Sequence, residues 1–251
     1  MLTLFGQSYK WLFAEMTVVI LGILIAFQLD EWQNDLTARQ VEARYLTDML
    51  DNLRLDEADL MRAIDDKSSK LPALRKLVVM LDSDEELDGG ALLALEEQSY
   101  RGGTSIFRPV TATFDKMIRS GELVLVQDNE LYNAIVDYYQ RGSLSGRDSQ
   151  TLLVDWLGRW RSMQLELYGP LSFIQWWESG PIPNNSQVIY RPEEEQLVER
   201  RFDVSERRAN EAYMTMLADH YQQWHYYEIR AREKLASNRL LQASIARHLA
   251  R

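Results

Sequence analysis

Residues 11–29 read WLFAEMTVVILGILIAFQL, and the interpretation of the whole chain turns on them. Nineteen helical residues rise about 28 Å, close to the ~30 Å hydrocarbon thickness of a bilayer. Glu15 is the only strongly costly group in the run, and Trp11 and Trp32 stand near its two ends as interfacial anchors do. The sequence therefore predicts a single transmembrane helix. A cleaved signal peptide fits poorly, because Ile25, Ala26 and Phe27 do not form a small-x-small processing site. Lys10 precedes the span, while Asp30, Glu31 and Asp35 follow it. Counting basic residues places the amino terminus in the cytoplasm and the main domain in the periplasm of a bacterial inner membrane. The expected organisation is a short cytoplasmic segment 1–10, the span 11–29, and a helical domain 30–251.

Within the span, Glu15, Val19, Gly22, Ala26 and Asp30 are spaced four, three, four and four residues apart and share one helical face. Gly22 and Ala26 make a small-xxx-small pair that permits close helix approach. A carboxyl group there needs a partner, a proton or water. The face predicts self-association into a homo-oligomer, or pairing with another membrane protein, with the lipid bilayer as surroundings. An alternative is an oligomeric transport element in which Glu15 lines a polar path.

Composition narrows the remaining classes. The 251 residues carry 38 acids against 28 bases, a net charge of −10, which argues against a broad nucleic-acid surface. With no cysteine there is no disulfide, thiolate nucleophile or Cys-ligated metal. The mean hydropathy of −0.34 conceals how uneven the first thirty residues are.

The run Glu15, Val18, Val19, Gly22, Ile23, Leu24, Ile25, Ala26, Gln28 and Trp32 resembles the start of an uncharacterised family of bacterial membrane proteins. A second stretch, Phe107 through Tyr139, resembles that family's middle motif through Thr113, Phe114, Met117, Ser120, Gly121, Leu131, Tyr138 and Tyr139. Asp30, Glu31 and Gln33 depart from the pattern near the tryptophan. The resemblance implies a membrane anchor with a helical extramembrane domain, and no catalytic role for any residue.

Beyond residue 30 the pattern is helical. Leu46, Met49, Leu50, Leu53, Leu60, Met61 and Ile64 recur at helix spacing. Ser68 to Pro72 predicts a bend, with a new helix over 71–81, a loop over 82–90 and a short helix over 92–97. Gly121 is placed to cap a helix over 113–119, and Asp128 to start the next, whose apolar side carries Leu131, Ile135, Tyr138 and Tyr139. A helix is expected over 148–168, ended by Gly169 and Pro170. From Val204 onward a single long helix is expected, with Ser237 as the candidate break. Residues 30–66 hold eleven acids and four bases, whereas 228–251 hold two acids and six bases. These two helices are therefore expected to lie antiparallel, each complementing the other's charge.

No constellation predicts catalysis, a cofactor site or a metal site. His220 and His225 are five residues apart and point about 140° away from each other, unlike a helical His-x-x-x-His metal pair. Phe173, Trp176 and Trp177 sit beside breakers and are candidates for a partner contact or a lid over the bundle end. The expectation is a non-enzymatic, all-α, single-pass assembly, scaffold or sensor protein with no cofactor.

Overall fold

Spacing of apolar residues at three and four positions, with no glycine from residue 23 to 81, makes one helix dominate the molecule. A computed structural model describes residues 5–100, 106–141, 144, 158–170 and 203–251, with α1 side chains described from Glu15. Helix α1 is Phe5–Leu81, 77 residues long. It is followed by α2 (Gly89–Tyr100), α3 (Ala112–Ser120), a 3₁₀ turn (Glu122–Leu125), α4 (Asn129–Val136) and a π turn (Asp137–Arg141). Helix α5 is described over 158–170, α6 is Val204–Ala209, and α7 is Glu211–Leu249. The described residues form an all-α architecture, as the periodicity predicts.

Helix α7 lies antiparallel along α1. Glu42 faces His248 at 3.0 Å, Glu57 receives Arg239 at 2.7 Å, and Ser68 donates to Glu228 at 2.9 Å. The acidic and basic helices thus pair as their charges predict. The Arg239–Glu57 ion pair, whose arginine is more than half exposed, contributes only about 0–1 kcal/mol. Most of the stabilisation comes from apolar side chains, at about 1.5–3 kcal/mol for each large one fully buried.

Three buried clusters run along the α1–α7 pair. One gathers Leu46, Met49 and Leu53 of α1 with Phe114, Met117, Leu131, Ile135 and, from α7, Leu241 and Ile245. A small middle cluster joins Leu60 and Ile64 to Phe107 and Ala231. The third packs Leu71, Leu74, Leu77 and Leu81 against Leu92, Tyr100, Trp160, Tyr213 and Trp224. Met61, expected on the buried stripe, is exposed.

The expected transmembrane helix is not supported. Among the described residues, no helix is long and apolar enough to cross a membrane. Between the Glu15 carboxylate and Asp30 lie only fourteen residues, about 21 Å of helix against ~30 Å of hydrocarbon, and Glu31 adds a further charge. The single-pass topology, the inner-membrane location with a cytoplasmic terminus and periplasmic domain, the bilayer as partner and the membrane assembly or transport role are withdrawn on this finding. Helix α1 runs without interruption through residues 10 and 11 and through 29 and 30.

Three local expectations also change. Helix α1 does not restart at Pro72 but continues through it to Leu81. Leu71, Leu74 and Leu77 are buried on one face, and that packing offsets the lost backbone bond. The long C-terminal helix is interrupted at Asn210, not at Ser237. Asn210 is extended, with φ −87° and ψ 92°, and its side-chain oxygen accepts from the Tyr213 N–H, so it caps α7. Helix α5 runs to residue 170, with Gly169 left-handed at φ 76° in its last turn; residues 148–157 of the expected helix lie outside those described.

Candidate functional site

Among the described residues, two buried polar centres are assembled from residues far apart in sequence. In the first, Asp56 of α1 is fully buried. One of its oxygens accepts from the Val110 N–H at 2.8 Å, and the other accepts from the Tyr138 hydroxyl at 2.8 Å. Asn238 of α7 donates to the same hydroxyl at 2.9 Å and to the Leu53 carbonyl at 3.0 Å. Lys234 donates to the Tyr138 carbonyl, and its ammonium lies 3.7 Å from the Tyr138 ring centroid. The π turn contributes Tyr138 to this arrangement. Burial raises the Asp56 carboxyl above its usual range, opposed by the Val110 and Tyr138 hydrogen bonds and by Lys234. Burial also brings the Lys234 ammonium down to about 8, opposed by Asp56.

In the second centre, Glu96 of α2 accepts from Gln164 at 3.2 Å, from Tyr213 at 2.9 Å and from Tyr168. His220 is wholly buried beside it, stacked on Tyr100 at 4.9 Å and edge-on to Trp224 at 3.8 Å. Desolvation, followed by the charges of Lys67 and Lys70, holds its imidazole well below the ordinary value. The buried Lys67 pairs with Asp66 at 2.6 Å and sits 4.8 Å from the Trp224 ring. His225 instead lies against Tyr221, 6.0 Å between centroids. The two histidines therefore do not converge, and no metal-holding group of three or more ligands occurs among the described residues.

An open groove of about 760 Å³ lies between α5 and the start of α7. Arg159 and Asp219 face each other at 3.5 Å across it, and both are about half exposed. Glu166 and Glu211 add acidic rims. Ordinary surface charges line this groove, so its geometry selects no chemistry.

The sequence-nominated face fares differently. Glu15, Val19, Gly22, Ala26, Asp30 and Trp32 are all exposed on the N-terminal part of α1, and none packs against the described bundle. A hollow next to Glu15 is lined only by Glu15, Met16, Val19 and Ile20 of that same helix. It is helix surface, so the geometry does not make a polar path. The side chain of Trp11, and Phe173, Trp176 and Trp177, lie outside the described residues.

Tyr138 and Tyr139 both pack in the core, and neither hydroxyl reaches the surface as expected for one of them. Tyr139 stacks on Phe114 with centroids 4.6 Å apart. Asp56 and Glu96 had no distinguishing signal in the sequence: each is one carboxylate in a row of charged helix positions, and its partners lie 54 to 117 residues away.

No family model, curated protein or solved structure matches this chain. The resemblance to a bacterial membrane family is therefore withdrawn. Its middle motif has local structural explanations: Thr113 accepts from Asn52 at 2.7 Å, Met117 is core, and Gly121 takes a left-handed φ of 73° to end α3.

Proposed function

We propose that the protein is a non-enzymatic interaction protein, in which the bundle serves as a rigid base and the N-terminal part of α1 is an arm that pairs with another helix. The supporting observation is an abrupt change along one helix. Along the side that continues the buried stripe, Val18, Ile25, Leu29 and Trp32 are each more than half exposed, whereas Leu46, Met49 and Leu53 of the same helix are fully buried. Covering a large apolar side chain gains about 1.5–3 kcal/mol, so so many exposed neighbours strongly favour a second surface over them. That the protein catalyses no reaction is part of the same proposal: Asp56 and Glu96 use both carboxylate oxygens to hold distant segments of the chain together.

Hydrogen exchange on the full chain tests this reading. Amides of residues 15–39 should exchange more slowly than those of an unaccompanied helix. The double variant Ile25→Asp, Leu29→Glu should lose that protection while the melting temperature of the bundle stays within about 2 °C of wild type. Equal exchange in wild type and variant contradicts the proposal. So does protection that arises only when phosphatidylglycerol-containing vesicles are added.

A further inference from the structure

We infer that the arm's partner is a second copy of this chain, paired antiparallel over residues 15–39 so that Gly22 of each copy receives Trp32 of the other and Glu15 of each meets Arg39 of the other. This inference rests on the helix-pairing proposal and adds to it an occupant, a direction and a register.

The first argument is the continuity of the heptad pattern. Glu15, Val18, Gly22, Ile25, Leu29, Trp32, Leu36 and Arg39 follow one another at alternating spacings of three and four, the a/d pattern of paired helices. This seam differs from the face through Val19 and Ala26. The same phase continues through Ala43, Leu46, Leu50, Leu53, Glu57, Leu60 and Ile64. There α7 covers it: Leu46, Leu53 and Leu60 are fully buried, and Arg239 and Gln242 engage Glu57. The last turn of α7 lies beside Glu42 through His248, and that helix ends at Leu249. Below Glu42 the seam is uncovered, with Leu36 at 40% and Trp32 at 63% exposure.

Direction follows from where α7 sits. A parallel second copy on this seam would bring its own bundle into the line that α7 occupies beyond Glu42. An antiparallel copy extends the other way, and its bundle lies past the far end of the arm.

Register follows from size and charge. Placing the twofold axis at residue 27 sets Val18 opposite Leu36, Gly22 opposite Trp32, and Ile25 opposite Leu29. The bulkiest seam residue then faces the one without a side chain, and a Cβ built on Gly22 meets nothing within 4 Å in the single chain, so the space next to it is open. The same register sets Glu15 opposite Arg39, twice in the dimer, at the two ends of the apolar seam. In a parallel pair each of these charges would instead face its own kind.

The chain contains no cysteine, so single labels are unambiguous. Nitroxides placed on the full chain at Ala26→Cys and, separately, at Gln40→Cys occupy the same heptad position two heptads apart. The antiparallel dimer gives a short distance at 26, under about 20 Å, and an axial separation of about 39 Å at 40. Glu15→Lys or Arg39→Glu alone should weaken dimerisation at least about tenfold, and the double reversal should restore it to within about threefold of wild type. Short distances at both positions overturn the antiparallel arrangement while leaving helix pairing intact. Failure of the double reversal to rescue overturns the register. A monomeric chain with an arm protected by some other helix overturns the second copy as occupant, and a monomeric chain with an unprotected arm removes the helix-pairing proposal as well.

Discussion

Asp56 shows what a single buried residue decides in this molecule. Its two oxygens tie the segment before α3 and the π turn to α1, and Asn238 extends the tie to α7. Tyr138→Phe removes one hydroxyl but leaves an Asp56 oxygen and an Asn238 N–H without it. Urea denaturation should show a loss of about 1–3 kcal/mol with the m-value unchanged. His220 supplies a pH dependence. In the native protein its imidazole is held neutral by burial, with Lys67 and Lys70 adding to that effect, whereas the unfolded chain takes up a proton below about pH 6.5. Unfolding therefore binds a proton there. Stability falls as pH drops through that value, by at most about 1.4 kcal/mol per pH unit, and is unaffected by this group well above it. His220→Phe should make the stability profile shallower between pH 6.5 and 5; an unchanged wild-type-minus-variant difference across that range would rule the linkage out. None of this was legible from single residues, because helix spacing reveals which face a carboxylate or imidazole occupies but not which distant element closes over it.

At the scale of elements, the sequence was most informative where one residue type performs a local task. Asp128 accepts from the Glu130 and Leu131 N–H groups and starts α4, and Gly121 ends α3 in the left-handed region. Both are recognisable because the capping chemistry needs only neighbours. Pro72 and Asn210 misled for the opposite reason. Proline cannot supply its N–H to the α1 ladder, yet burial of Leu71 and Leu74 keeps the helix continuous. Asn210 reads as an ordinary helix position until its side chain caps Tyr213. Pro72→Ala restores the missing donor and should stabilise the bundle by about 1–3 kcal/mol, measured by thermal or urea unfolding. A loss of stability would mean that the proline is required where it stands.

At the scale of the whole molecule, the acidic front of α1 and the basic end of α7 were legible as partners, because their net charges differ in sign and both have continuous helical periodicity. The N-terminal arm was legible as apolar but not in its setting. A run of greasy residues on a helix is compatible with several neighbours, and among the described residues no helix is long and apolar enough to cross a membrane. What remains is a bundle that buries one half of a helical seam with its own α7 and leaves the other half exposed. The most direct measurement is sedimentation equilibrium of the full chain over a wide concentration range, with the Gly22→Leu variant alongside. A species of twice the 29.3 kDa chain mass, dissociating at least about tenfold more readily when Gly22→Leu fills the space that receives Trp32, is the expected result. A 29.3 kDa species at every concentration, or a dimer indifferent to Gly22→Leu, would contradict the account.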